Sequence, residues 1–392
     1  MVPKGWEKNS LDSLFEFKNG LNTEKEQYGN GYKFVNVMDV FRNDILTESK
    51  IIGRVQVTDK QLEGYQLKYG DVLFNRTSET FDEIAIAAIY LDNAIATFGG
   101  FVIRARPKGN QIDPAYSVFL FQSKNYRSQV VKLGQGAIRA NIGQKDLARV
   151  CILVPPLAEQ KKIAQILSTW DKAISVTEKL LTNSQQQKKA LMQQLLTGKK
   201  RLLDENGVRF NGKWEKKLLS DVADVYQPKT ISQSMMSDSG YPVYGANGVI
   251  GFYQEFNHET EQIAVTCRGS TCGIVNWTQA KSWITGNAMV INTDNYSYVS
   301  KKFLFYTLNG SDLKYLISGS GQPQITGNIK THIINLPCIE EQQKIATVLS
   351  AADAEIYTLE KKLACLRDEK KALMQQLLTG KRRVKVDEAV AE

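Results

Sequence analysis

The sequence predicts an α+β chain. Two globular mixed α/β domains alternate with two long helices that pair antiparallel as a coiled coil, an internal tandem duplication with pseudo-two-fold symmetry. Three observations predict it. The twelve residues KKALMQQLLTGK occur twice, at 188–199 and at 370–381. Each copy ends a run without proline or glycine whose apolar residues recur in alternating steps of four and three. Each run follows a stretch of short β-like segments punctuated by glycine and polar residues.

The identical block is the end of a longer repeat. VPPLAEQKKIAQILSTWDKAI from Val154 matches LPCIEEQQKIATVLSAADAEI from Leu336 at the same offset of 182 residues. Upstream, Trp6 in GWEKNSLDSLFEF matches Trp214 in KWEKKLLSDVADV at an offset of 208, so the second variable part is 26 residues shorter. The boundaries expected are 1–153 for the first globular domain and 154–207 for the first long helix and its linker. The second domain follows at 208–335, and the second helix and C-terminal tail at 336–392.

Pro155 and Pro156 break the chain before the first helix, and Gly198 and Gly380 sit where a C-terminal stop belongs. The 38 residues from Glu159 to Leu196 would span roughly 57 Å as a helix. Their seam is Ile163, Leu167, Trp170, Ile174, Thr177, Leu181, Ser184, Lys188, Leu191 and Leu195. The second seam is Ile345, Leu349, Ala352, Ile356, Leu359, Leu363, Leu366, Lys370, Leu373 and Leu377. Leu180, Met192, Leu196, Met374 and Leu378 lie just off the seams and widen the apolar stripe near the GK end. A widened stripe predicts contact with a third helix from another protein.

The variable parts read as mixed strand and helix. Strands are expected at 32–41, 71–77, 84–91 and 101–107, and in the second copy at 262–268, 272–277 and 287–292. Helices are expected at 114–122 and 299–309, and YPVYGANGVIGF (241–252) is a glycine-punctuated β stretch.

Lys plus Arg outnumber Asp plus Glu by 50 to 41, a net charge of +9 that suits a polyanionic partner without requiring one. No apolar run reaches the ~18 residues of a membrane span, and the N-terminus lacks an apolar signal region, so a cytoplasmic protein with no membrane partner is expected. Five scattered cysteines do not make a disulfide framework, and two histidines make a zinc site unpromising. No phosphate-cradling GxxxxGK[ST], dinucleotide fingerprint or HExxH occurs. No catalytic or metal-binding residue is assigned.

The loops carry side chains suited to base edges and phosphates. FNRTSE (74–79) aligns with TCRGST (266–271), setting Arg76 against Arg268 at an offset of 192, with Thr77 and Ser78, and Ser270 and Thr271, beside them. LGQGAIRANIGQKDL (133–147) resembles SGSGQPQITGNIKTH (318–332). These loops offer Gln135, Arg139 and Asn141 in one copy and Gln322, Gln324 and Asn328 in the other. Tyr244 and Asn247 of the glycine-punctuated stretch join them as candidates. Arg, Asn and Gln make the bidentate contacts that distinguish guanine and adenine, and glycine lets a backbone N–H approach a phosphate. Structural ion pairs for Arg76 and Arg268 are an equal reading.

PPLAEQKKIAQIL, LPCIEEQQKIATVL, the repeated KKALMQQLLTGK, GDVLFNRT and YPVYGANGVIGF together resemble the DNA specificity subunit of type I restriction-modification systems, over essentially the whole chain. The resemblance implies two target-recognition domains, each reading one half of an asymmetric bipartite site on double-stranded DNA. It implies helices that set the half-site spacing and recruit two adenine-methylating methyltransferase subunits and, where present, restriction subunits. The chain itself would be non-catalytic and hold no cofactor, and S-adenosylmethionine, ATP and Mg would bind the partners. One departure is Cys338 in place of the second proline, expected to soften the start of the second helix. The alternatives are a stand-alone DNA-modifying enzyme with an unrecognised site, and a coiled-coil scaffold.

Overall fold

The computed structural model describes residues 2–136, 138–245, 247–319 and 323–386. The chain divides into two compact units, one running to Thr177 and resuming at Lys362, the other spanning Glu178–Lys361.

The long helices run Leu157–Leu195 and Ile339–Leu377, 39 residues each, starting at equivalent positions of the repeat. Cys338 therefore does not delay the second start. No seam residue is exposed, whereas most positions between them are. In the first unit Lys370 is salt-bridged to Asp171 and Arg383 to Glu159, so the helices run antiparallel. In the second unit the matching contacts are Lys188 to Asp353 at 2.5 Å and Arg201 to Glu341 at 2.5 Å, and Ser184 Oγ adds a hydrogen bond to Glu355 at 3.1 Å. Both seam lysines thus find a carboxylate on the opposite helix, which satisfies a charge that an apolar seam would strand.

In the first unit a five-stranded sheet has the order Phe15–Asn19, Val102–Pro107, Val72–Asn75, Ala87–Tyr90, Ile45–Leu46, antiparallel except for its last pair. Val72–Asn75 is buried at every residue, as its unbroken VLFN run requires for a strand covered on both faces. A three-stranded sheet joins Arg54–Val55, Tyr28–Val35 and Ala96–Phe98. The ribbon Glu7–Ser10 with Cys151–Val154 ties the start of the domain to the strand leading into its helix.

The second unit repeats the plan. A four-stranded antiparallel sheet has the order Asp224–Tyr226, Ala288–Asn292, Ile263–Thr266, Val275–Trp277. A three-stranded sheet holds the hairpin Tyr241–Gly245 and Gly248–Tyr253 with Trp283–Ile284. The ribbon Glu215–Leu218 with Ile333–Leu336 matches that of the first unit. The strand expected at 32–41 ends at Val35, and Val37–Arg42 is a helix. Asn36 and Asp39 form a capping box, with the Asn36 N–H donating to Asp39 at 2.8 Å, and this local hydrogen bonding overrides the β-branched composition.

The constant segments grip the variable ones through one repeated dyad. Glu159 accepts from the Trp6 indole at 2.9 Å and takes a fork from Arg383, both at 2.8 Å. Glu341 accepts from Trp214 at 3.1 Å and takes a fork from Arg201 at 2.5 and 2.6 Å. The adjacent Gln160 accepts from the Asp113 N–H at 2.8 Å, and Gln342 from the Ser300 N–H at 2.8 Å. Asp113 and Ser300 are the N-caps of the domain helices Pro114–Leu120 and Lys301–Asn309. The fork raises the pKa of each arginine above its ordinary value.

Replacing either arginine leaves a buried carboxylate with only an indole donor. Arg201→Met should destabilise its unit by about 2–4 kcal/mol. Arg383→Met should cost about half of that, because Arg383 is 43% exposed against 19% for Arg201 and is better screened. Urea denaturation followed by tryptophan fluorescence measures both, and equal or negligible losses would contradict the assignment.

Candidate nucleic-acid interface

The strands at the centre of each unit end in loops that gather most of the candidate residues. In the first unit Thr77–Ser78 pairs with Ala140–Asn141, and Ile142 N–H donates to the Arg76 carbonyl at 3.0 Å. Residues 135–141 form a loop closed on itself: Gln135 N–H donates to Asn141 O at 2.9 Å and Asn141 N–H to Gln135 O at 2.7 Å. Gly136 adopts φ +124°, and a Cβ there would lie 2.1 Å from the Arg139 carbonyl oxygen. Only glycine permits that fold of the loop.

The second unit closes its matching segment with the same backbone pairs. Ser318 and Gln324 exchange paired backbone hydrogen bonds at 2.9 and 3.0 Å, Arg268 bridges Gln324, and Ile325 N–H donates to the Cys267 carbonyl at 3.0 Å. Gly319 has φ +94°, in the place of Gly136. The pairing matches Asn141 with Gln324 and Thr77 with Arg268. The alignment of Arg76 with Arg268 is therefore corrected by one residue, because ladder hydrogen bonds rather than shared residue type set the register. Arg76 corresponds to Cys267.

Arg76, Gln135 and Arg139 are exposed in the first cluster, and Arg268, Ser270 and Gln324 in the second. Arg76, Arg139 and Arg268 make no ion pair or side-chain hydrogen bond among the described residues, so the ion-pair reading of Arg76 and Arg268 has no support there. Thr271 is half-buried beside Arg268. Gln322 lies outside the described residues.

Several candidates prove to be organisers. Ser78 is buried and donates to Glu83 at 3.1 Å. Asn141 accepts from Thr77 Oγ1 at 2.9 Å and donates to the Arg139 carbonyl at 3.0 Å, so both ends of its amide are used. Asn328 accepts from the Thr326 N–H at 3.1 Å and donates to the Leu316 carbonyl at 2.8 Å. Tyr244 is buried, its hydroxyl accepting from the Gln279 N–H at 3.1 Å. Ser78 and Tyr244 are buried, whereas Asn141 and Asn328 are exposed but tie their amides to the loop backbone. Asn247 is exposed at the turn of the 241–253 hairpin, away from the arginine loop in its backbone pairing.

The off-seam apolar residues are also corrected in part. Leu378 is 4% exposed inside the first unit's core, and Met374 packs against the same core. Met192 and Leu196 pack on the second unit's core, within reach of Gly310. The stripe widens near the GK end because each helix covers its own domain there. Leu180 alone of the five is exposed.

The sequence reading missed two features. Ile138 is 92% exposed at the tip of the first loop, beside Arg139. Phe101 is 65% exposed, its carbonyl accepting from the Arg76 N–H at 2.9 Å. Nothing in the local pattern separates such residues from core ones. Among the described residues no helix is long and apolar enough to cross a membrane, and no group of three His, Cys, Asp or Glu could hold a metal ion.

Residues 3–183 and 211–365 match the family model of the type I restriction modification DNA specificity domain. The chain is 28% identical over 425 residues to the putative type I restriction enzyme MjaX specificity subunit of Methanocaldococcus jannaschii, covering 98% of this chain and 95% of that one. It is 25% identical over 318 residues to the MjaVIII specificity subunit of the same organism, covering 72% and 74%. The fold is similar to that of the type I S subunit from M. genitalium, with TM-score 0.64 at 17% identity over 96% of both chains. A structure of the HsdS subunit from Thermoanaerobacter tengcongensis matches at TM-score 0.50 and 17% identity, over 97% of this chain and 98% of that one. With two family-model matches that between them span both copies of its repeat, the chain belongs to the type I restriction-modification DNA specificity family.

Proposed function

We propose that the chain is the non-catalytic sequence-reading subunit of a DNA-methylating complex, each globular domain reading one half of an asymmetric two-part site on double-stranded DNA. The observation that carries this reading is the pair of loops at 135–141 and 318–324. They share their closing backbone pairs and a positive-φ glycine and differ in sequence, as two readers of different half-sites must. A symmetric dimer would read a palindrome; a duplicated chain with divergent loops would not. The long helices supply a rigid spacing between half-sites, and their repetition offers equivalent docking positions to two methyltransferase subunits, with restriction subunits as an optional addition. S-adenosylmethionine, ATP and Mg belong to those partners in this reading.

Single-molecule sequencing of methylated adenines, in cells with and without the chain, tests the function. A two-part motif should appear only with it. Deleting one heptad from both helices, Thr177–Asn183 and Leu359–Cys365, removes roughly 10 Å of helix. At ~3.4 Å per base pair the spacer should shorten by up to about three base pairs with both half-sites unchanged. An unaltered spacer with full activity would remove the spacing role.

Native mass spectrometry of the purified assembly should give one copy of this chain with two methyltransferase subunits; a 1:1 complex under saturating partner would contradict the two equivalent docking positions.

We further assign Arg76 and Arg268, both exposed and without an ion pair among the described residues, to backbone phosphates. Arg76→Gln and Arg268→Gln should each weaken DNA binding regardless of sequence and flatten the dependence of log K on log salt by about one. Slopes equal to that of the unaltered protein would refute the phosphate assignment.

A further inference from the structure

An aliphatic side chain at the tip of a cationic loop needs an explanation in terms of what it meets. Ile138 is the most exposed large hydrophobic residue described, and Arg139 beside it is exposed and unpaired among the described residues. The loop holds both outward. Its closing pair Gln135–Asn141, the Asn141 amide bound to the Arg139 carbonyl, and the close approach of that carbonyl to Gly136 fix the backbone before any ligand arrives. A loop ordered in advance loses little entropy on binding.

We propose that Ile138 and Arg139 read one base step of the first domain's half-site from the major groove, Ile138 against the 5-methyl group of a thymine and Arg139 bidentate on the O6 and N7 of a neighbouring guanine. This rests on the DNA-reading function proposed above. An isoleucine gains nothing against a hydrated phosphate, and the thymine methyl is the apolar feature that a major groove presents. Arginine is the side chain whose fork matches guanine there. The second domain supports the assignment by contrast. Counting from the shared closing pair, the positions of Ile138 and Arg139 are Gly321 and Gln322 in the sequence. No aliphatic residue stands at that place in the second sequence, and glutamine is suited to adenine rather than guanine.

The test uses the assembly purified from its host and duplexes carrying its methylation motif. Each thymine in turn is replaced by uracil, which removes only the methyl group. For the unaltered protein, one uracil position in one half-site should lower affinity about fourfold, the effect of one buried methyl. Ile138→Ala should bind the thymine duplex about fourfold less tightly and be indifferent to uracil at that position. Arg139→Gln should relax a guanine next to it by about tenfold or more and leave the other half-site unchanged. The assignment is overturned if no uracil position matters, if the uracil effect persists in Ile138→Ala, or if the relaxed base is not adjacent. It is also overturned if Ile138→Ala loosens subunit assembly by native mass spectrometry instead, or abolishes DNA bending without methyl dependence, as a wedge between bases would. Failure of the underlying function looks different: no duplex sequence would be preferred at all.

Discussion

Each unit turns on one buried carboxylate at the first turn of its long helix. Glu159 and Glu341 have side chains 4% and 1% exposed, and an unpaired charge so placed would be expensive to bury. Each is neutralised by an arginine that follows a long helix, Arg383 and Arg201, and hydrogen-bonded by the tryptophan that precedes a variable domain, Trp6 and Trp214. Three segments distant in sequence therefore meet at one group, and none can move without stranding it. The arginines stack over the same indoles, at 5.8 Å for Arg383 on Trp6 and 5.6 Å for Arg201 on Trp214. Gly198 and Gly380, both at positive φ, turn the chain beside those rings. The GK of the repeated block is kept because the turn that delivers the arginine needs that glycine.

The lysine–aspartate pairs in the seams do a second job. Pairing Lys370 with Asp171, and Lys188 with Asp353, specifies the antiparallel register, since a one-turn slip would leave a half-buried ammonium facing alkyl groups. Their surroundings have diverged. In the second unit Tyr306 donates to Asp353 at 2.6 Å, and burial beside that carboxylate pushes its phenol well above the ordinary range. In the first unit Phe119 lies under Lys370, and the domain contributes Asp44, whose carboxyl is raised by burial and lowered by Lys370. One seam chemistry is thus satisfied by two different domains, which shows how a constant helix accommodates a changing partner.

How much of this was legible follows from what sets each feature. The helices were, to within two residues at each end, because heptad spacing, flanking prolines and closing glycines all act locally. The central strands were legible because 72–74 and 263–265 are unbroken apolar runs. The helix at Val37–Arg42 was not, because a capping box outweighed β-branched side chains. The match of Arg76 to Arg268 was one residue out because like residues looked equivalent while the ladder paired Thr77 with Arg268's position. Among the candidate readers, the loops and their exposed arginines and glutamines were legible, but the organising role of the asparagines and the outward Ile138 were not. Asn141 and Asn328 look like ideal base readers in sequence, and their amides are consumed in folding the loop. Ile138 looks like a core residue, and only the loop's closure shows that it faces out.

The carboxylate latch and the free loops are two sides of one constraint. A reader of new sequences must change its contact residues often, and most changes in a packed protein cost stability. Here the proposed contact residues sit past the ends of strands that are buried on both faces, in loops closed by backbone pairs and positive-φ glycines. Ile138 and Arg139 are exposed, so replacing them disturbs little of the packed interior. What cannot change is the frame that carries the loop: the strand beneath it, the closing pair, and the Trp–Glu–Arg junction that fixes the domain on its helix. That division accounts for a chain that keeps its helices and junctions in both copies, twelve residues of them without alteration, while its globular domains diverge.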